Sequence, residues 1–532
     1  MEDILPTTDY ESWTKEALVA RLKDLDKLVG DQKRPDLPEA QSEPVLGTTT
    51  TMSETTGVAT ESEATPRKRK IRKTYFDFDK LPKRKIALKF SYFGWPYYGL
   101  ARQGNVLESA EKQKLDEKYP TVEGVLFRAM ASCGLIMSES TCGYSRCGRT
   151  DRGVSSFGQV VSLYVRSSGS FITEEEVAAI EEEGGEKSKM VTRDIFNDNK
   201  PVLLPPIESE LPYASMLNKH LPPEIRILAW SPVSVDFNAR FSCTSRFYKY
   251  YFSEQGLNIE VMQMAARRFL GTHDFRNFCR LDPAKQITNF ERTIKEIAIV
   301  PVSSQVPYVG DAASPEGRWW QLELRGTAFL WHQVRCMVAM LFAVGQGLED
   351  ADIIDKMLDV TNMNGKPEYE MACDTPLVLA NCTFNENDVR WIYTRSAGRE
   401  LQSMTTLDRT ILRTWRQLNT RSVLCSGLLH NLRTTEVPAL VEPDEDVSSE
   451  PKRDQWSNCL AHIEEAEQRV QKSSILGGGI VRNVKRYVPI VKRRRAAPVE
   501  QRNQEWLERK GVDKRVKCDQ TNQGQISELS AL

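Results

Sequence analysis

From Lys85 the chain alternates, with Ile86, Leu88, Phe90 and Tyr92 separated by Ala87, Lys89 and Ser91, the two-residue period of a strand with one buried face. The period returns at Val161, Leu163 and Val165, set between Ser162, Tyr164 and Arg166, and at Trp320, Leu322 and Leu324, set between Gln321, Glu323 and Arg325. One-faced alternation favours antiparallel sheet, with one wet side, over parallel sheet. Two segments follow the helical period instead. One, near Val122 to Met130, is amphipathic; the other, from about His332 to Val344, is nearly all apolar and belongs inside the fold. Strands and helices mixed in this way predict an α+β core.

The alternation also bounds that core, to roughly residues 85–393. Residues 1–84 carry a Thr-rich run, scattered Ser, Glu and Gly, and a basic cluster from Arg67 to Lys73, and read as a mostly disordered tail. Within it Leu18, Leu22, Leu25 and Val29 recur on one helical stripe, which predicts a short helix near 13–29. Residues 174–200 form an acidic, Gly-containing insert, expected as a helix followed by a mobile loop. After about Tyr393 a helical extension is expected over 394–435, with its helix from Leu407 to Leu432, and then a polar linker and basic tail over 436–532.

Composition narrows the class. A chain of 532 residues with 40% hydrophobic content can bury two or three compact units. Its 72 basic and 73 acidic residues nearly cancel, so partners depend on local patches. Eleven cysteines without a C-x-x-C pair suit reduced thiols better than a disulfide framework. The N-terminus has no signal-peptide pattern and the longest apolar stretch, Cys336 to Val344, is too short to span a bilayer, so an intracellular protein away from membranes is expected. A metal site built on Cys133, Cys142, Cys147 and the five histidines lacks the usual ligand spacing.

Three stretches hold candidate chemistry. Cys147-Gly148-Arg149-Thr150-Asp151-Arg152-Gly153-Val154 is a glycine-bracketed polar loop feeding a strand. An Asp between two glycines is ordinarily a turn former, but Arg146, Arg149 and Arg152 around this one would keep it ionised and leave guanidinium groups for phosphates. Arg246, Tyr248 and Tyr250 share one strand face, a cation beside two rings suited to stacking an extruded base. Phe247, Tyr251 and Phe252 make that strand aromatic on both faces, which equally predicts a buried core strand. Arg335 enters an otherwise apolar helix and requires a partner, with Asp151, Glu323 or a helix C-terminus as candidates.

These stretches, in this order, resemble the motifs of the TruA-type pseudouridine synthases, and Lys85 to Gln103, Thr121 to Met130, Leu217 to Arg240 and Leu270 to Cys279 match as well. Gly271 to Phe278 and Leu330 to Met337 look closest to the eukaryotic branch that modifies tRNA positions 38 and 39. Trp331 departs from the histidine that many relatives carry, and Gly99 to Gln103 lacks the tryptophan of the usual bacterial segment. The resemblance implies a pseudouridine synthase fold, an antiparallel sheet flanked by helices with the active-site cleft between two subdomains. It implies Asp151 as catalytic residue, Tyr248 as the tyrosine against the uracil, and Arg335 as the partner of the aspartate. Arg149 matches the loop arginine that extrudes the base, and Arg152 and Arg246 are placed with it in substrate binding.

Pseudouridine formation breaks the N1–C1′ bond, turns the uracil and joins C5 to C1′, so the resemblance implies no cofactor and no metal. A carboxylate serves it either as nucleophile or by stabilising a cationic sugar. The implied substrate is the anticodon arm of tRNA, where unstacking a base costs least, and the implied assembly is a homodimer. The basic stretch from Arg482 to Arg495 suits RNA contact, nuclear targeting or a merely solvated tail, and a nuclear or cytoplasmic enzyme is expected. The competing reading is a noncatalytic tRNA-binding protein or chaperone on the same scaffold.

Overall fold

The first alternating segment forms a strand, Lys83–Tyr92, whose Ile86, Leu88, Phe90 and Tyr92 are buried as its period requires. The computed structural model describes residues 78–102, 117–302, 318–393, 401–434, 473–483 and 487–510. The helix expected near 13–29, the basic cluster from Arg67 and the first part of the linker after 436 lie outside the described residues.

In chain order the strands of the main sheet are β1 (Lys83–Tyr92), β2 (Ser145–Arg146), β3 (Ser155–Arg166), β7 (Ile225–Pro232), β8 (Cys243–Ser253) and β9 (Gly271–Asp274). They continue as β10 (Glu291–Pro301), β11 (Trp319–Gly326), β12 (Leu377–Phe384) and β13 (Ile392–Tyr393). The remaining strands form two small sheets: β4 (Ser170–Phe171), β5 (Val191–Asp194) and β6 (Lys200–Leu203), and the pair β14 (Ser473–Gly477) and β15 (Ile480–Asn483). The helices are α1 (Val122–Ser132), α2 (Glu174–Glu183), α3 (Tyr213–Asn218), α4 (Ile259–Arg267), α5 (Gln333–Gly345), α6 (Ile353–Leu358) and α7 (Leu401–Thr434), followed by a helix over 499–510.

The main sheet runs β13-β7-β1-β3-β12-β8-β11-β10-β9, with β2 beside β3. Its pairings are antiparallel except at β3 and β12, which run parallel through Val378↔Ser155 and Leu379↔Ser156. The antiparallel expectation therefore holds for all but one junction, and that junction lies immediately after the loop carrying Asp151. One hydrophobic core packs α1 and α3 on β1, β3 and β7 through Leu88, Leu126, Leu163 and Leu217. A second packs α4 and α5 on β8 and β11 through Met262, Phe342, Tyr250 and Leu324. All of α5 is buried, as its composition predicts.

The structure departs from the sequence reading in four places. Ser162 and Tyr164 of β3, expected on a wet face, are buried. Partners cover them: Ser162 is hydrogen-bonded to Ser145 of β2 at 2.6 Å, and Tyr164 meets Phe196 edge to face at 5.0 Å. On β8 only the Tyr248 and Tyr250 face is fully buried, while Phe247, Lys249 and Tyr251 are half-buried. Within 174–200 the expected helix is α2, but the segment after it, expected as a loop, forms the β5–β6 hairpin. Asp198 and Asn199, at φ 50° and 54°, supply the left-handed turn that closes it.

The fourth departure is the basic tail, part of which packs onto the second core. Tyr250 donates its hydroxyl hydrogen to the Leu476 carbonyl at 3.3 Å, Cys373 donates its amide to the same carbonyl at 2.8 Å, and Ile490 and Val499 are buried. Gly477, at φ 77°, passes so close that a Cβ there would stand 2.4 Å from the Tyr250 hydroxyl. A few apolar anchors in a polar, basic segment give no periodicity to read.

Phe342 of α5 touches Tyr250 and Phe252 edge to face at 5.9 and 5.4 Å. Phe342→Ala leaves a cavity where α5, the sheet and the C-terminal hairpin meet, and should cost about 3–5 kcal/mol of stability. Chemical denaturation checks this; a loss below about 1 kcal/mol would mean that the three elements do not share one core.

Candidate active site

The loop from Cys147 to Val154 is tied at its first two residues to the strand that follows it. The Cys147 amide donates to Val160 at 2.9 Å, and the Gln159 side chain donates to the Gly148 carbonyl at 2.9 Å. Arg246 binds three carbonyls, those of Cys147 (2.8 Å), Arg240 (3.0 Å) and Thr327 (2.6 Å), joining β8, the loop and the approach to α5. Thr150 is buried and hydrogen-bonded to the Tyr92 hydroxyl at 2.7 Å. Beyond Asp151 the chain turns at Gly153, φ 78°, where a Cβ would stand 2.9 Å from an Asp374 carboxylate oxygen. A side chain there would collide with Asp374 as well as strain the backbone.

Asp151 is 27% exposed by its side chain, and two consecutive residues at the start of α5 face it. The Trp331 indole Nε1 donates to Oδ1 at 3.1 Å, and His332 Nε2 lies 3.5 Å from Oδ2. His332 stands at φ 62°, an uncommon conformation for a residue with a Cβ. Burial and the charges of Arg335, Arg280 and Lys366 push its pKa down to about 3, so it is neutral near pH 7. Burial raises the Asp151 pKa above the usual carboxylate value, opposed by the charge of Arg335 and the Trp331 hydrogen bond, reinforced by the charge of Asp374, and opposed by Lys285.

Arg335 therefore acts on Asp151 electrostatically, but its ion pair goes elsewhere. Its Nη2 lies 3.6 Å from Asp374 Oδ2, and its Nε donates to the Ala372 carbonyl at 2.7 Å. A guanidinium only 9% exposed needs such compensation, and the turn into β12 provides it before Asp151 can. Two carboxylates thus lie in the field of one buried arginine. Asp374 was not singled out by the sequence, where it sits in an unremarkable Cys373-Asp374-Thr375 turn, and neither was His332 apart from its neighbours.

The other predicted residues divide. Arg149 and Arg152 are exposed, Arg152 lying over the Tyr98 ring at 4.2 Å. Arg146 is not part of the Asp151 surroundings. It pairs at 2.6 Å with Glu123, a fully buried carboxylate that also accepts from the Tyr144 hydroxyl and the Arg102 amide. Tyr248 is buried edge-on to Phe329 at 5.0 Å, and burial raises its pKa, so it stays protonated. Among the described residues no three His, Cys, Asp or Glu side chains converge as a metal site, and no helix is long and apolar enough to cross a membrane.

A family profile described as tRNA pseudouridine synthase matches residues 265–385, the stretch holding β9 to β12 and Arg335. The tRNA pseudouridine(38/39) synthase of Homo sapiens is 36% identical over 447 residues, 83% of this chain and 80% of that protein. The chain belongs to the tRNA pseudouridine synthase family. The protein of the same name from Saccharomyces cerevisiae is 40% identical over 384 residues, covering 71% of this chain and 72% of its own. The tRNA pseudouridine synthase A of Methanosarcina mazei is 28% identical over 275 residues, about half of this chain (52%) and 76% of its own. The enzyme is thus an isomerase that acts on tRNA.

Gly153→Ala should destabilise the enzyme by about 1–3 kcal/mol, from the left-handed backbone and the displaced Asp374. Denaturant midpoints of wild type and variant measure it; equal midpoints would show that the loop tolerates a side chain there.

Proposed function

We propose that the enzyme converts uridine to pseudouridine in the anticodon stem-loop of tRNA, at position 38, position 39 or both, with Asp151 as its catalytic carboxylate. The observation that carries this is a partly exposed carboxylate, hydrogen-bonded by Trp331 with His332 beside it, in the field of a buried arginine. The positions come from the names of the human and yeast relatives.

In the reaction the N1–C1′ bond breaks, C1′ rejoins at C5, the C5 proton leaves and N1 ends protonated, so the atoms balance without an added reactant. Ionised Asp151 serves by attacking or by stabilising the developing positive charge on the sugar. The charge of Arg335 opposes the rise in the Asp151 pKa that burial causes. Tyr248, protonated and apolar-walled by Phe329, offers a ring to the uracil. The cleft receiving the base is proposed between the two halves of the sheet, where β3 meets β12. Exposed Arg149 and Arg152, with exposed Lys492 and Arg494 of the C-terminal segment, offer cations to phosphates.

A homodimer in the nucleus or cytoplasm completes the proposal. The free, mostly buried thiols fit reducing compartments. Leu418, Val423, Leu424 and Leu428 of α7 are exposed apolar side chains of the kind a second subunit would cover.

The test uses wild type and Asp151→Ala protein with unmodified tRNA, mapping pseudouridine and measuring binding together. Pseudouridine at 38 or 39 from wild type, with a variant that binds but does not react, is expected. Equal binding and no reaction by either protein on any tRNA would favour a noncatalytic tRNA-binding role.

The same assay has a defined pH dependence. Activity falls as pH falls through the Asp151 pKa, which lies above the unperturbed value of about 3.9. Arg335→Gln removes the largest influence holding that pKa down, so the acid limb of kcat/KM must move to higher pH. A limb that stays in place would detach Arg335 from the reacting carboxylate.

A further inference from the structure

The indole that donates to Asp151 is itself 37% exposed and has two cations over its ring: the Arg280 guanidinium at 4.8 Å and the Lys285 ammonium at 4.9 Å from the ring centroid. Exposure of a tryptophan beside a reactive carboxylate leaves apolar surface wet unless a ligand covers it. Arg280 and Lys285 are exposed at the same place, and among the described residues Arg280 has no acidic partner within 4 Å. Lys285 has one, Asp282 at 3.3 Å, at the solvent edge where such a pair is weak and exchangeable. Phe290 lies beneath, and Val499 and Asn503 of the helix over 499–510 form the outer wall.

The recess between these residues encloses only about 20 Å³, room for a water and not for a nucleobase. Any base bound here lies across the exposed indole or the Arg280 guanidinium rather than entering. Aromatic and guanidinium planes that receive a base, flanked by cations that receive its phosphates, are how single-stranded nucleotides are held. The indole N–H edge already fixes the distance to the reacting group, since it contacts Asp151 directly.

We propose that Trp331, Arg280 and Lys285 form a subsite for the nucleotide next to the target uridine, its base on the Trp331 platform and its phosphate on Arg280 and Lys285. This rests on placing the reaction at Asp151. One side chain thereby couples strand register to the carboxylate: the ring positions the neighbour and the N–H positions the acid. The C-terminal helix is held to this loop by Asn503, whose side chain donates to Ile287 at 3.4 Å and whose carbonyl accepts from Gln286 at 3.3 Å. That makes the helix over 499–510 a wall of the RNA path.

The test pairs protein and RNA changes in full-length protein carrying Asp151→Ala, so that dissociation constants are read without turnover. The probe is an anticodon stem-loop with the target uridine, intact or with an abasic residue at one neighbour or the other. For one neighbour, removing the base should weaken binding roughly 10-fold or more, a typical stacking contribution. Trp331→Ala should weaken the intact RNA by a similar factor, and the two losses should not multiply when combined. Arg280→Ala and Lys285→Ala should each reduce the slope of log Kd against log salt by roughly 0.7 to 0.9. Losses that multiply at both neighbours, with unchanged salt slopes, overturn the subsite. Because the readout is affinity, a failure of the Asp151 assignment appears in the pseudouridine assay and a failure of the subsite appears here. In the otherwise wild-type enzyme Trp331→Phe keeps a ring but loses the N–H, and should lower kcat and shift its acid limb upward more than it raises KM; a change confined to KM would deny the coupling.

Discussion

The site depends on one electrostatic constraint: a buried guanidinium, Arg335, must be neutralised in a nearly all-apolar helix. Its position in α5 brings Asp374 to it from the turn before β12 and leaves Asp151 near enough to feel its charge without a direct ion pair. An Asp151 bound bidentately to arginine would be held low in pKa and capped on both oxygens. The observed arrangement instead gives a carboxylate that burial makes more basic and the arginine's charge makes less so, with a hydrogen bond from Trp331 on one oxygen and His332 beside the other.

The surrounding fold is built to keep those few groups in register. The parallel contact of β3 with β12 places the end of the Asp151 loop next to the strand that follows Asp374. Arg246 joins the loop stem to Thr327, just ahead of the turn into α5. Glu123 holds Arg146, the residue just before the loop, from inside the first core. Gly153 permits the close approach of Asp374. The C-terminal hairpin then leans on Tyr250 and Cys373, so a segment distant in sequence supports the same turn.

Much of this was legible in the sequence where periodicity is strong. The alternation of β1 and β11 and the apolar run of α5 predict elements that the structure contains nearly to the residue, because each has one dominant burial pattern. Where burial comes from long-range partners the pattern misleads: Ser162 and Tyr164 look solvent-facing until Ser145 and Phe196 arrive. The same holds for residues 473–510, whose anchors Leu476, Ile490 and Val499 are too sparse to register. At the site, Asp151, Tyr248 and Arg335 stood out by type and by resemblance, whereas Asp374 has no local signal, since its role exists only through Arg335 and Gly153. The arginines nearest in sequence to Asp151 were a poor guide to its surroundings, because Arg149 and Arg152 are exposed to solvent and Arg146 goes to Glu123.

The central claim is spatial: the target uridine leaves its stack and brings its C1′ atom to position 151. The most direct measurement is an experimental structure of the Asp151→Asn enzyme, which preserves side-chain shape and stops turnover, bound to an anticodon stem-loop carrying the target uridine. The account predicts the extruded uridine with its sugar in van der Waals contact with the side chain at position 151 and its base against Tyr248. A uridine still stacked in the stem-loop, or extruded onto a different part of the sheet, would contradict it.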